Sequence, residues 1–525
     1  MGIYLNPNAN AFLDDKNTKI YVDKSLIVKE LNELVSSKND FVCISRPRRF
    51  GKSMAGNLVS AYYSKGCDTR HVFSQMKLGK GDGWDKYLNR FNVIKLDMNG
   101  MYQNAVSKEL AIEEINETVR DEFVKQFPNV QFKSTDNIAK CVRRVYDEVG
   151  EKFVIIIDEY DVLVRENVSE ALFEKYLSFL NGLFKDASLR PAIALAYITG
   201  IFPIVRDKIQ SKLNEFDEYT IINPLQFAGK IGFTKEEVAC LCDQYEMDKD
   251  ECERWYDGYK ISDKVELYNP LSVVKALRAH EFDNYWTATS SFVSLKQWIM
   301  MDFDGVRQDI ISMIAGKSVP VNVLKFENTI QSINCKDNVF TYLIHLGYLA
   351  YNRKEKTCCI PNMEIRTEWI NCIEDEADYG SVMSIVNASK QLLDDTINGD
   401  AEAVANALGA SHTEVTSNLT YNDEYCFQSA ICLAYFYATT RYTLVKELPT
   451  GKGYADLVLI PYLPNFPAMV IELKCNQTAG TALQQIKDKN YSHALNQYKG
   501  DLLFVGINYD KTTKVHTCRI EKMDV

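Results

Sequence analysis

Hydrophobic and polar positions along this chain fall into blocks whose period switches between strand and helix. Residues 41–45 (Phe-Val-Cys-Ile-Ser), 92–97 (Asn-Val-Ile-Lys-Leu-Asp), 153–159 (Phe-Val-Ile-Ile-Ile-Asp-Glu) and 192–199 are short, mostly apolar runs. Such runs read as strands buried on both faces of a parallel sheet. Between them, residues 26–35, 54–63, 107–127, 135–149 and 170–184 carry apolar residues at helical spacing. Strands alternating with helices over residues 1–225 predict a doubly wound α/β domain.

From Pro224 the pattern turns helical. Thr234 and Glu237 form a capping box ahead of the run 238–245, turn-rich stretches follow at 255–259 and 268–270, and helical spacing resumes at 271–279. This predicts a small helical domain over 226–300. A helical stretch at 328–349, a hairpin at 347–360 and a helix from Met363 then predict a winged-helix-like module over 301–375. No basic recognition helix is evident in that module. The remainder, 376–525, begins with helices, including an apolar one at 425–438. It continues with strands at 442–448, 454–460 and 468–474, a helix at 480–494 and a strand at 501–506, an αβββαβ order.

Composition adds limits. A chain of 525 residues with 46% hydrophobic content has material for several cores. Its fourteen cysteines lack metal-ligand spacing, and no secretory start is read, which predicts reduced thiols and a cytoplasmic protein. The longest apolar run, 192–205, is broken by Thr199, Gly200 and Pro203, so no membrane span is expected. A net charge of −11 argues against a surface that coats nucleic acid generally, although the chain from Val415 onward is close to neutral.

Candidate chemistry lies in two places. After the strand 41–45 comes Arg46-Pro-Arg-Arg-Phe-Gly-Lys-Ser53 and then a helix, the layout of a phosphate-binding loop. Backbone N–H groups at Gly51 and the helix N-terminus would face phosphates, Lys52 would reach the β/γ-phosphates and Ser53 would ligate Mg²⁺. Arg46 stands where the first glycine of that pattern belongs; side chains of Arg46, Arg48 or Arg49 would then share the phosphate contact. Asp158 and Glu159 sit at the carboxyl end of a buried strand, where ligands of open α/β sheets gather. Asp158 is expected to join the Mg²⁺ and Glu159 to polarise the attacking water, with Thr199 of the next strand a candidate for the γ-phosphate or the water.

The second place is near the C-terminus. Strand alternation puts Glu472 and Lys474 on one face, and Asp456 can meet them from the neighbouring strand. Two carboxylates and a carbonyl oxygen suit Mg²⁺, and a lysine beside them suits attack on a phosphodiester. The helix that follows carries Gln485, Lys489 and Tyr491.

In order, the motifs are Tyr21-Val-Asp-Lys-Ser, Arg46–Ser53, Ile157-Asp-Glu159, Thr199-Gly-Ile201, Gly232-Phe-Thr-Lys-Glu-Glu-Val238, Trp255-Tyr-Asp-Gly-Tyr259 and Tyr268-Asn-Pro270. Gly347-Tyr-Leu349, Ile360-Pro-Asn362, Gly453-Tyr-Ala-Asp-Leu-Val458, Ile471-Glu-Leu-Lys474 and Gln485-Ile-Lys-Asp-Lys-Asn-Tyr491 follow. Together they resemble the bacterial family that joins an AAA-ATPase-like domain to a C-terminal PD-(D/E)XK nuclease-superfamily domain. The resemblance implies an α/β multidomain protein: a P-loop NTPase sheet of AAA/STAND type, a helical and winged-helix-like middle, and a restriction-endonuclease-like C-terminal domain. It implies ATP and Mg²⁺ at Lys52, Ser53, Asp158 and Glu159, and a nuclease-type site at Asp456, Glu472 and Lys474, where Mn²⁺ is a second candidate metal. Nucleic acid is the partner expected, DNA before RNA; membrane is not, and homo-oligomerisation is left open. The family's loop usually begins Arg-Pro-Arg-Arg, so Arg46 is no departure. Tyr454 is one, since members usually carry Arg there.

Two readings of function follow. In one, ATP hydrolysis controls a metal-dependent nuclease. In the other, the chain is a nucleotide-dependent scaffold whose nuclease fold is silent. A trans-acting arginine for the ATPase is undecided, with Arg165, Arg190 and Arg206 near the expected nucleotide side.

Overall fold

The computed structural model describes residues 2–166, 168–204, 213–262, 265–286, 305–314, 316–326, 335–374, 380–415, 427–428, 431, 434–435, 437–438, 441–449, 454–461, 466–488 and 501–523. It divides into two compact units, Met1–Gly305 with Pro320–Ile365, and Val306–Val319 with Arg366–Val525.

The first unit is built on a five-stranded sheet, β1 (Phe41–Ser45), β2 (Asn92–Asp97), β3 (Phe153–Asp158), β4 (Ile193–Gly200) and β5 (Asp217–Tyr219), in the order β2-β3-β4-β1-β5. Every pairing is parallel. Every residue of β1, β3 and β4 is buried, which is why these strands read as unbroken apolar runs. Ala111–Gln126, Ile138–Val149 and Glu170–Phe184 cover one core through Ile115, Val119, Val142, Val145, Tyr176 and Leu180. Asn137 caps the second of these helices and Gly150, at φ 74°, ends it in the left-handed region. The short β5 was not legible as a strand.

The helical region contains a sheet that the sequence did not suggest. β6 (Phe233–Thr234), β7 (Tyr259–Ser262) and β8 (Val265–Tyr268) pair in the order β6-β8-β7. The stretches expected to be turns therefore adjoin strands, sharing Tyr259 and Tyr268 with them, because these residues bury their rings in pairings no longer than four residues. The capping box of Thr234 and Glu237 starts the helix Lys235–Tyr245 as expected. Helices Lys249–Tyr256 and Pro270–Ala279 complete this part.

Most of the expected winged-helix-like stretch also belongs to the first unit. The helix Lys336–Leu346 ends at Gly347 (φ 89°), and Ala350–Asn352 pairs antiparallel with Thr357–Cys359. Tyr342 stacks on Phe202 at 4.8 Å, and Tyr259 donates its hydroxyl to the Gly347 carbonyl at 2.7 Å. These contacts join to the sheet what the sequence reading set apart as separate domains. Part of the helix expected at 328–349 lies outside the described residues.

The second unit carries the sheet Tyr442–Pro449, Tyr454–Pro461, Ala468–Cys475, Leu502–Asp510 and Val515–Met523, in chain order. All pairs are antiparallel except Ala468–Cys475 with Leu502–Asp510, which the helix Ala479–Asp488 connects as a crossover. The final strand is an addition to the expected αβββαβ order. Its mostly exposed edge position gives it no continuous apolar signature. The cysteines of the described residues are free thiols. Among the described residues no helix is long and apolar enough to cross a membrane.

Candidate functional site

The phosphate-loop geometry begins at Gly51, which has φ 89° and caps the helix Lys52–Tyr63. A side chain is disfavoured at that φ, so glycine lets β1 turn directly into the helix. A cavity of about 760 Å³ opens there. Gly51, Lys52, Ser53, Arg48, Glu159 and Arg165 line it, together with the apolar Ile20, Val22, Ile231, Phe233, Leu271 and Val274. The Lys52 ammonium is buried and donates to the carbonyls of Arg46 (3.0 Å) and Pro47 (2.9 Å). Burial pulls its pKa down to about 8, against the opposing pull of Asp158, Asp161 and Glu159. A buried ammonium lent to loop carbonyls, an exposed helix N-terminus and cationic lining residues fit a nucleotide polyphosphate.

Asp158 is buried and accepts from the Glu159 N–H at 3.0 Å and from the Thr199 hydroxyl. Because β4 lies between β3 and β1, Thr199 braces Asp158 from the adjacent strand. Thr199, like Asp158, is nearly inaccessible and does not line the cavity; its hydroxyl is spent on Asp158, which corrects the expectation that it contacts the γ-phosphate or the water. Glu159 follows the strand at φ 51°, one of two left-handed non-glycine residues lining the cavity, with Arg49 at φ 69°. Such backbone conformations cost energy and concentrate at working sites. The Glu159 carboxylate pairs with Arg165 at 2.9 Å. Burial alone would lower the Arg165 pKa, but Asp161 and Glu159 outweigh it and hold the guanidinium charged. Asp161 in turn accepts from the Ile201 and Phe202 N–H groups at 3.0 Å. Sequence reading passed over Asp161, although it directly follows the carboxylate pair and tyrosine.

The arginine-rich loop divides by role. Arg46 is fully buried and donates to the carbonyls of Ser45 (2.8 Å), Tyr219 (2.9 Å) and Phe227 (3.0 Å). It therefore does not reach the cavity, correcting its expected phosphate role: its guanidinium satisfies backbone acceptors of distant segments. Arg49 donates to the Tyr285 carbonyl at 3.1 Å and to that of Trp286, and its guanidinium lies over the Trp286 ring. Arg48 lines the cavity, and burial and the neighbouring Arg165 charge lower its pKa. Phe50 accepts from the Gly232 N–H through its carbonyl and packs edge-on against Tyr259. Arg190 pairs with Asp40 and lies over Phe41, away from the cavity. Arg206 lies outside the described residues.

The Tyr21-Val-Asp-Lys-Ser motif also has a place here. Lys24 donates to Glu237, the capping-box carboxylate, and to the Gly229 carbonyl at 3.1 Å. Asp23 accepts from the Lys77 N–H at 2.6 Å, and Ser25 accepts from the Leu78 N–H at 3.0 Å. The motif thus ties the segment lining the cavity to the start of the next helix.

In the second unit the expected nuclease residues are brought together. The antiparallel ladder between Tyr454–Pro461 and Ala468–Cys475 runs to Leu457 opposite Ile471. Beyond it the Asp456 carboxylate accepts from the Leu473 N–H at 2.7 Å, so the side chain continues where the ladder stops. Glu472 is 1% exposed, and Lys474 approaches its Oε1 at 3.2 Å. Gln485, from the crossover helix, also donates to Glu472. Gln428 donates to the Asp456 carbonyl at 2.7 Å. A buried carboxylate with a lysine and an amide on one oxygen, beside a second carboxylate, fits a hard divalent cation. The missed determinant is Gly506: a Cβ there would come within 2.4 Å of the Ala479 carbonyl oxygen. Only glycine lets the crossover helix close on the strand and deliver Gln485. Gly453, Lys489, Tyr491 and the side chain of Tyr454 lie outside what is described.

Comparison with known proteins agrees with the division into these domain types. Residues 13–210 match the family of predicted AAA-ATPases, and residues 422–518 match the PD-(D/E)XK nuclease superfamily. The chain therefore joins an AAA-ATPase-like domain to a PD-(D/E)XK nuclease-superfamily domain. It is 21% identical over 518 residues to an uncharacterized protein in the vnfD 5′ region of Azotobacter chroococcum mcd 1, covering 94% of this chain and 93% of that one. Two solved Aeropyrum pernix proteins are distantly similar. The ORC2 protein, in ADPNP–ADP complexes, is 9% identical with a TM-score of 0.34, covering 68% of this chain and 96% of that one. The ORC1 protein, in complex with DNA, is 11% identical with a TM-score of 0.28, covering 73% and 100%.

Proposed function

We propose that this chain binds and hydrolyses ATP at the Lys52 cavity and thereby controls a metal-dependent nuclease centre at Asp456, Glu472 and Lys474. The observation that carries the proposal is the meeting of Gly51, Lys52, Ser53 and Glu159 on one cavity. Lys52 leaves the loop carbonyls for the β/γ-phosphates, Ser53 and Asp158 hold Mg²⁺, and Glu159 orients water after Arg165 releases it. Arg48 and Arg165 compensate charge on the γ-phosphate. In the second unit Asp456 and Glu472 hold Mg²⁺ or Mn²⁺, and Lys474, steered by Glu472, faces the scissile phosphate. The bound cation supplies water activation and charge neutralisation there. The substrate class is nucleic acid, DNA before RNA, in the cytoplasm.

The test is a titration of Mg²⁺ and Mn²⁺ against labelled single- and double-stranded DNA and RNA, with and without ATP, using wild type and Lys474→Ala. Metal-dependent cleavage lost in the variant is expected. Absence of cleavage on every substrate overturns the nuclease assignment. The overall charge of −11 and the tyrosine at position 454 favour a second reading, a nucleotide-dependent scaffold. That reading predicts no cleavage to lose, and partner binding that fails in Lys52→Ala.

A further inference from the structure

One motif plays no part in this scheme. Trp255-Tyr-Asp-Gly-Tyr259 closes the helix Lys249–Tyr256 and enters β7, and it places Asp257 between two other carboxylates. Oxygens of Glu253, Asp257 and Glu266 lie within 4.8 Å of one another. Glu253 comes from the last turns of the helix, Asp257 is its C-cap and Glu266 comes from β8, so two segments converge.

The backbone around Asp257 is fixed from outside the cluster. Asn362, of the Ile360-Pro-Asn362 motif, donates to the Asp257 carbonyl at 2.7 Å. Gly258 has φ 101°, and a Cβ there would fall 2.0 Å from the Pro361 carbonyl oxygen. Tyr259 is tied to Gly347 through its hydroxyl. Three sequence motifs thus interlock to hold one carboxylate in place.

That carboxylate is incompletely satisfied. Asp257 is 6% exposed, and its Oδ1 has no hydrogen-bond partner among the described residues. Lys235 pairs with Glu253 at 2.6 Å and Lys260 with Glu266 at 3.3 Å, both from the solvent side. Two lysines against three carboxylates leave one negative charge, and it falls on the buried member. Burial pushes the Asp257 pKa up to about 7 against the opposing pull of the Gly258 N–H, with Glu266 and Glu253 adding to the rise. A buried carboxylate without a counter-charge is costly, and a cation bridging the three would remove that cost.

We propose that Glu253, Asp257 and Glu266 form a binding site for a hard divalent cation of the Ca²⁺ class. All-oxygen carboxylate donors select such ions over softer metals. Opposed ligands on Ca²⁺ stand about 4.8 Å apart at a bond length of about 2.4 Å, so the three oxygens fit one coordination sphere, with water completing it. The cation would cross-brace the end of a helix to β8.

The test is Ca²⁺ titration of chelator-treated, nucleotide-free full-length protein by calorimetry, paired with its unfolding midpoint. Wild type is compared with Asp257→Asn, with Glu266→Gln and with Asp456→Asn/Glu472→Gln, which separates this site from the nuclease centre. One Ca²⁺ event is expected to weaken at least about tenfold in the first two variants and to persist in the third. Glu266 is partly exposed, so its substitution decides the matter should Asp257→Asn fail to fold. Equal Ca²⁺ binding by wild type and Glu266→Gln overturns the proposal. So does a Ca²⁺-insensitive midpoint that rises in Asp257→Asn, the mark of a shared proton.

Discussion

The two candidate sites, both assigned phosphate in the proposal above, present opposite charge. The Lys52 cavity presents cations, Arg48, Lys52 and Arg165, among apolar lining residues. The Asp456–Glu472 centre presents a buried carboxylate, Glu472, and a part-buried one, Asp456, with one lysine. The first suits an anion met directly, and the second suits a cation that would mediate the contact. Their sequence signatures differ accordingly. The first is a contiguous loop on one helix N-terminus, and the second is assembled from two strands and a crossover helix.

The contrast breaks most visibly within the arginine-rich loop. Arg46→Ala should destabilise the first unit by about 2–4 kcal/mol, since it strands three buried carbonyls and removes packing. Arg48→Ala should leave the unfolding midpoint nearly unchanged and weaken ATP binding about tenfold. Thermal unfolding and nucleotide titration of both variants check this pair. Similar behaviour of the two would erase the division of roles.

At the other site, Gly506→Ala should cost about 1–3 kcal/mol by overpacking against the Ala479 carbonyl. It should also lower metal affinity, because Gln485 moves away from Glu472. Metal titration of the folded variant reads the second effect separately from the first.

A smaller effect concerns pH. Lys52 has a folded-state pKa near 8 against a usual value of 10.5, so the unfolded chain binds more protons between these values. Stability of the nucleotide-free protein should therefore rise with pH across that window, the burial cost being fully present below it. Lys52→Met should flatten this rise. ATP affinity should fall as pH climbs past about 8 and Lys52 loses its proton. Denaturant melts and ATP titrations at pH 7 and 9 measure both.

How much of this was legible follows from how local each determinant is. Strands β1, β3 and β4, the turn at Gly51 and the capping box at Thr234 depend on neighbours in sequence, and the reading placed them well. The meeting of Asp456 with Glu472 followed from strand alternation. Arg46 and Thr199 were misassigned because their partners come from elsewhere: Tyr219 and Phe227 for Arg46, Asp158 for Thr199. The hairpin β7–β8 was hidden because a glycine and aromatic residues resemble turn composition, while Gly258 is there to pack beneath Pro361. Gly506 carried no local signal, since its necessity arises only when the crossover helix lies on the strand.

Equilibrium binding of Mg²⁺–ATP to the purified chain, beside Lys52→Ala, is the most direct measurement. One nucleotide per chain is expected for wild type, with affinity lower by about 10–100-fold in the variant, the worth of one charge-assisted contact of about 1.5–3 kcal/mol. Equal affinity in the two proteins, or no binding by wild type, would contradict a nucleotide site at Lys52.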